Sequence, residues 1–483
     1  MTTLHLKTTS AAKWSTLDVF MRQGVQFVVS IVLARILAPE DFGVMAMLAM
    51  FIGLAGVFID SGFSSALIQR QNVTHTDEST VFFFNLGMGA ISAFLLCAAA
   101  PWIAAFYNHP ELEDLTYAMA FNLFVSAFGS IHNTLLSKEM DFKTMAKVGV
   151  VSSVIAGALA IYMASRSYGV WSLAGYAVVT GIVTVLLLWL WHPWRPAWTF
   201  SFASLRSFFN FGGYEMAATL TDVFSTNLYL IMIGKLYSAR DVGFYDRAQR
   251  TQKLPITLMM GIINRVAYSV FATVSEDKAR LVRGLRQAQA VSMFVNLPVL
   301  VGVIILAEPL VLTLFGSQWL PCVPILQVLG LGGLLWPLHV LNLNILKAQG
   351  RADLFFWITM LKKLFTISLT VVASYYGIMA IAWAQVVISV FAYVVNTHYT
   401  KVFLGYGGLK QLRELFVNFL AVIPMAVAIY LTKETMQALP LNILIVSSVM
   451  GSVIYLLTCR LLCAELLNKC LILSGVRARS AQS

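Results

Sequence analysis

The sequence is short of charge: aspartate, glutamate, lysine and arginine make up 11% of its 483 residues, against 59% apolar residues. Soluble domains carry about 25% charged and about 45–50% apolar residues, so too little polar side chain remains here to cover a water-facing surface. No polar stretch is long enough to fold as a soluble domain, and the longest, around His192–Ser207, has the length of a loop. Cysteine is scarce as well. Cys97, Cys322, Cys459, Cys463 and Cys470 lie mostly in or beside apolar segments without CxxC spacing, which argues against zinc or dithiol redox chemistry and leaves them as small packing residues. There is no GxxxxGK[ST] loop and no HExxH, so neither ATP hydrolysis nor zinc chemistry is expected, and no cofactor or metal. His132 and His339 fall inside apolar segments with no evident metal partners. The N-terminus lacks the pattern of a cleaved signal peptide, so the first apolar helix is expected to be retained as a span.

What the sequence has in abundance is long apolar runs. A helix needs about 20 apolar residues to cross about 30 Å of hydrocarbon. Fourteen segments of that length can be marked, from 14–37 and 42–68 at one end to 412–432 and 440–464 at the other. With fourteen spans, the odd-numbered loops hold only Arg35, Arg166, Lys235, Arg240 and Lys433. The even-numbered loops and both tails hold most of the remaining cations, with clusters at Lys138, Lys143 and Lys147 and at Lys278, Arg280, Arg283 and Arg286. By the positive-inside rule both termini face the cytoplasm. The same bias accounts for most of the formal charge of +11, and no nucleic-acid partner is needed to explain it.

An internal repeat is present. Arg35-Ile-Leu-Ala-Pro-Glu-Asp41-Phe-Gly43 is echoed 200 positions later by Lys235-Leu-Tyr-Ser-Ala-Arg-Asp241-Val-Gly243. Tyr168-Gly169 is echoed at Tyr376-Gly377, and Asn133-Thr-Leu-Leu-Ser-Lys138 at Asn342-Leu-Asn-Ile-Leu-Lys347. Six helices per repeat is an even number, so both halves enter the membrane in the same sense. The expected architecture is all-α and integral to the membrane: two six-helix bundles, 1–200 and 201–402, related by a pseudo-twofold along the membrane normal, with two further helices and a cytoplasmic tail in 403–483. Two such bundles suit alternating access around a central cleft. Pro255, Pro298, Pro337 and Pro424 are placed to kink spans.

These stretches resemble the polysaccharide-transport branch of the multidrug/oligosaccharidyl-lipid/polysaccharide exporter superfamily, near its colanic-acid-exporter-like members. Leu33–Gly43 resembles the first-loop signature, Asp60-Ser-Gly62-Phe-Ser-Ser-Ala66-Leu-Ile-Gln-Arg70 the end of the second helix, and Val242-Gly-Phe-Tyr245-Asp-Arg-Ala248 with Leu254-Pro255 the start of the eighth. The chain departs from the pattern at Tyr229, where relatives often carry an acid, and near Ser269, where they carry a proline. The resemblance implies a flippase, not an enzyme, in a bacterial inner membrane. Its substrate would be an oligosaccharide repeat unit carried on undecaprenyl diphosphate, for exopolysaccharide or lipopolysaccharide synthesis. Its implied partners are that lipid-linked substrate, membrane lipids and other polysaccharide-assembly proteins. The alternatives are an ion-coupled multidrug exporter of the same superfamily and a membrane enzyme of polysaccharide assembly.

Ionisable groups at bilayer depth cost roughly 2.5–3.5 kcal/mol on insertion scales, so each needs a reason. Arg22, Arg265, Lys362 and Lys363 are the cations within spans, and Arg247, Arg250 and Lys253 belong to a polar run, Asp246–Lys253, at the outer end of the eighth helix. All seven are candidates to receive an anionic diphosphate headgroup. Asp60, Glu215 and Asp222 are candidates to carry a coupling ion, the last two being seven apart and on one helix face. The competing reading is a set of structural ion pairs, of which Asp18 with Arg22, four apart, is the plainest. Trp14, Trp102, Trp171, Trp191, Trp194 and Trp319 near span ends are expected to be interface anchors.

Overall fold

The computed structural model describes residues 21–473 apart from 61, 71, 274–276 and 350; all regular elements among them are helical. The described part of α1 is residues 21–36. It is followed by α2 (Pro39–Asp60), α3 (Phe63–Gln69), α4 (His75–Tyr107), α5 (Glu111–Glu139), α6 (Phe142–Ser165), α7 (Trp171–Trp191), α8 (Phe202–Leu236) and α9 (Ala239–Thr273). Then come α10 (Lys278–Ile305), α11 (Ala307–Leu314), α12 (Cys322–Gly333), α13 (Trp336–Ala348), α14 (Ala352–Ser374), α15 (Ile378–Leu404), α16 (Gly408–Thr435), α17 (Pro440–Leu462) and α18 (Ala464–Leu473). Eleven segments of these are long and apolar enough to cross a membrane. The other three runs marked in the sequence are α1, α5 and α9. Helix α5 is diluted by Asn122, Ser126, Ser130 and His132, and α9 by its polar run.

Short polar side chains start the helices where the chain leaves the apolar phase. Thr74 and Asp77 form a reciprocal capping box on α4, with Thr74 N–H donating to Asp77 Oδ2 at 2.9 Å. Asp141 caps α6 through the Thr144 amide at 3.1 Å, and Asp277 caps α10 through the Ala279 and Arg280 amides at 3.0 Å each.

The chain packs as two compact units, Met1–Gly243 and Phe244–Ser483. In the first, α2 packs on α4 and α8, α4 on α5, and α7 on both α5 and α6. Small residues permit the close approaches, as where Gly157 of α6 lies against Val29 of α1. The two copies of the first-loop motif meet within this unit. A Cβ added at Gly43 would collide with the carbonyl oxygen of Ala239, and one at Gly243 with the carbonyl oxygen of Pro39. Each motif's glycine thus lies on the backbone of the other motif's first turn, and only glycine permits it. The aspartates match too: Asp41 Oδ2 accepts the Ala38 amide at 2.9 Å, and Asp241 Oδ2 accepts the Ser238 amide at 3.3 Å. At the second echo, Gly169 and Gly377 both have positive φ, +56° and +114°, a region open to glycine and poorly open to other residues.

In the second unit α10 packs on α12 and α16, α15 on α12 and α14, and α16 on α17. A buried polar knot joins α16 to its neighbours. Gln411 Oε1 accepts from the amides of Gln289 and Asn342, both at 2.9 Å, while Tyr406 donates to Glu414 at 2.7 Å and Arg286 pairs with Glu414 at 3.0 Å. The run marked as one span at 319–346 is two helices, α12 and α13, separated at Leu334 and Leu335. Pro337 has no N–H to give the Gly333 carbonyl. Asn296 Nδ2 of α10 replaces it, donating to Gly333 O at 3.3 Å and Leu334 O at 3.1 Å, and Ser389 Oγ of α15 donates to Gly332 O at 2.7 Å. Neighbouring helices thus supply donors to three carbonyls at the break, Gly332, Gly333 and Leu334, as non-helical backbone at membrane depth requires.

Candidate substrate-binding site

The polar run that opens α9 has two faces. Gln249, Gln252, Lys253, Ile256 and Thr257 recur at helical spacing and line one wall of a cavity of about 250 Å³. Its other walls come from the break between α12 and α13, with Gly332, Gly333, Trp336 and His339, and from α15, with Gln385 and Ser389. Gly333 makes room for the Gln252 amide, which lies where a side chain at 333 would stand. Among the described residues no carboxylate lines the cavity. The opposite face of the run is turned into the fold. Arg247 is 5% exposed, its guanidinium 4.9 Å from the Phe315 ring and 5.0 Å from the Trp319 ring, a desolvated cation–π contact.

The other cations are spread out. Arg250 is exposed and pairs with Asp246 at 2.6 Å. Lys362 and Lys363 are half-buried on α14, and Lys362 is near enough to His339 to interact with it electrostatically. Arg22 is exposed on α1, with its side chain lying along Gly149 of α6. The side chain of Arg265 lies outside the described residues, as do Asp18 and the side chain of Asp60. The structure thus gathers Lys253, His339 and Lys362 into one neighbourhood of the second unit. Arg247 does not line the cavity.

Among the acids, Asp222 is exposed on α8. Glu215 is turned toward α3, where Ser65 Oγ donates to Oε1 at 2.9 Å. Its Oε2 is buried and accepts no hydrogen bond among the described residues. A carboxylate half-satisfied in this way has lone pairs open to a further donor or a small cation. Glu215→Gln is therefore expected to lower transport and change its dependence on pH or sodium, with the protein still present in the membrane. Transport measured against external pH and sodium checks this, and unchanged profiles in both Glu215→Gln and Asp222→Asn would remove the two acids from coupling.

A sequence profile of the family described as "Polysaccharide biosynthesis protein" matches residues 32–324. The chain is a member of that family. It is 27% identical to the teichuronic acid biosynthesis protein TuaB of Bacillus subtilis, over 80% of this chain and 81% of that one. It is 26% identical to the lipopolysaccharide biosynthesis protein WzxC of Escherichia coli K12, with 88% of each covered. With the succinoglycan biosynthesis transport protein ExoT of Rhizobium meliloti it shares 26% identity over 96% of both. Among solved structures, the lipid II flippase MurJ in an inward closed conformation superposes with a TM-score of 0.78 at 15% identity, covering 94% of this chain and 99% of that one. A multidrug resistance MATE family transporter in an inward-facing conformation superposes with a TM-score of 0.63 at 16% identity, covering 79% of this chain and 95% of that one. At these identities the two structures establish the shared fold.

For this member of the polysaccharide biosynthesis protein family, sequence reasoning about the site passed over neutral residues. Gln385, Trp336 and Ser389 carry no charge to flag them, and they approach α9 only because the tenth apolar run breaks. A sequence signal for the break existed: Gly332-Gly333 followed by Pro337 pairs two weak helix formers with a residue that removes a backbone donor.

Proposed function

We propose that the chain is a flippase. It moves oligosaccharide repeat units linked to undecaprenyl diphosphate from the inner to the outer leaflet of a bacterial inner membrane, by alternating access, for exopolysaccharide or lipopolysaccharide synthesis. The observation that carries the reading is a cavity within a membrane-spanning bundle lined by a lysine, three amides and an indole and, among the described residues, by no carboxylate. Lysine suits a diphosphate, and amides suit hydroxyl groups. A carboxylate-free lining is a poor receptor for the organic cations that a multidrug exporter would carry. The relatives' roles in teichuronic acid, lipopolysaccharide and succinoglycan biosynthesis support the same reading.

The second unit has a further cavity of about 460 Å³ whose walls, from α10, α16 and α17, include Phe294, Pro298, Met425, Ile429 and Tyr455. Its lining, apolar except for Ser448, Ser452 and the Tyr455 hydroxyl, suits an isoprenoid chain. Deleting the gene tests the proposal: lipid-linked oligosaccharide should accumulate in the inner leaflet, and its normal arrival in the outer leaflet would refute it. The orientation is part of the reading. Cysteines placed at positions 140 and 110 should label from the cytoplasmic and external sides respectively, because Lys138, Lys143 and Lys147 surround one and Glu111, Glu113 and Asp114 the other. Labelling of both from one side would break the helix count.

A further inference from the structure

The cavity beside the helix break holds more hydrogen-bonding capacity than a diphosphate can use. Gln249 and Gln252 are 8% and 7% exposed, and with Gln385 they line the space. Among the described residues none of these three amides hydrogen-bonds another side chain or the backbone. Gln385 is half-buried, and amides that face an enclosed space without protein partners are satisfied there by water or a ligand. The backbone at the break does not supply those partners, since its freed carbonyls are already taken by Asn296 and Ser389. What remains is a set of side chains that each offer two donors and one acceptor oxygen, lining the same cavity as the Trp336 indole.

Three chemistries can be compared for the occupant. A metal or coupling cation could use the amide oxygens, but it would stand beside the Lys253 ammonium, and no carboxylate among the described residues lines the space to offset that charge. An anion alone would call for more cations than the single lysine, Lys253, in the lining, and has no use for amide oxygens, which only accept. A neutral polyhydroxyl ring uses everything present: its hydroxyls donate to amide oxygens and accept from amide N–H groups, and its C–H face stacks on an indole. A volume of about 250 Å³ is room for one sugar ring and not for a repeat unit.

We propose that this cavity is a monosaccharide subsite: Gln249, Gln252 and Gln385 read hydroxyl positions of one uncharged sugar ring stacked on Trp336, while Lys253 at its edge holds an adjoining anionic group of the same substrate. The proposal rests on the flippase reading and adds to it the residues that discriminate between sugars. The amides act by being left unpaired when the sugar is absent or its hydroxyls are misplaced, which is how a buried polar site gains selectivity. Gly333 belongs to the device, because any side chain there would displace the Gln252 amide.

The test compares two lipids on the purified full-length protein: lipid-linked oligosaccharide extracted from the deletion strain, and sugar-free undecaprenyl diphosphate. Wild-type protein is expected to bind the sugar-bearing lipid more tightly. Gln252→Leu and Gln385→Leu should each lower that affinity about tenfold while leaving affinity for the sugar-free lipid unchanged. The unchanged sugar-free affinity also reports that the variants are folded. Trp336→Leu, at a residue 37% exposed, tests the stacking face without disturbing buried packing and should act in the same direction. Wild-type preference for the sugar-bearing lipid that survives all three substitutions would overturn the subsite and leave the flippase reading standing. Wild-type protein that neither binds nor moves the lipid-linked oligosaccharide would overturn both.

Discussion

Gly43→Ala is expected to abolish most transport and to lower the melting temperature of the detergent-solubilised protein, and Gly243→Ala to do the same. One methyl group is the smallest change a side chain can make, yet here it would fall on a backbone carbonyl: Ala239 for Gly43, Pro39 for Gly243. A flexible side chain could swing away, but a carbonyl in the first turn of a helix moves only with its helix. Overpacking within a fixed core costs typically 1–3 kcal/mol, and displacing backbone places this case at the upper end. A control is at hand in Gly87, which has open space around it, so Gly87→Ala should be silent. Wild-type melting and transport in both Gly43→Ala and Gly243→Ala would mean that the two motifs do not meet in the working protein.

Lys253→Gln combined with Lys362→Gln should reduce translocation of lipid-linked oligosaccharide by a factor of ten or more at normal protein level. A charge-assisted hydrogen bond contributes about 1.5–3 kcal/mol, and each 1.4 kcal/mol is about tenfold. Lys253 lines the cavity beside His339, and Lys362 is near enough to His339 to act on it electrostatically, so both place positive charge where an anion would approach. Arg247→Gln should behave differently. Its guanidinium is enclosed by Phe315 and Trp319, so its loss should empty a packed site and lower the amount of folded protein. Quantifying protein and transport together separates the classes: stable, fully active lysine variants would exclude the headgroup role.

Much of this arrangement could be read from the residues alone, and the reasons differ by feature. Apolar runs of the required length report spans directly, because the bilayer sets one length for all of them. The first-loop repeat was visible because Asp41 and Gly43, with Asp241 and Gly243, are residues whose jobs admit few substitutes: capping a first turn and permitting backbone contact. Position 169 and position 377 stayed glycine for the same kind of reason, a positive φ. The charges were a poorer guide. A cation in a span can serve a substrate or an aromatic box, and spacing along one helix does not distinguish them; Arg247 and Lys253, six apart on α9, differ in just this way. Gln385 and Trp336 were invisible, since their part in the cavity depends on tertiary packing around a helix break and neither residue type is unusual in a span.

The central claim is tested most directly by reconstitution. Purified protein in sealed vesicles carrying the lipid-linked oligosaccharide of the deletion strain in both leaflets should bring the lipid of the inner leaflet within reach of an impermeant sugar-modifying reagent added outside. Protein-free vesicles should leave the inner-leaflet lipid protected, and vesicles with Lys253→Gln/Lys362→Gln protein should lose that protection about tenfold more slowly than wild type. Complete and rapid modification in the presence of wild-type protein is the predicted result; protection equal to that of protein-free vesicles would contradict the account.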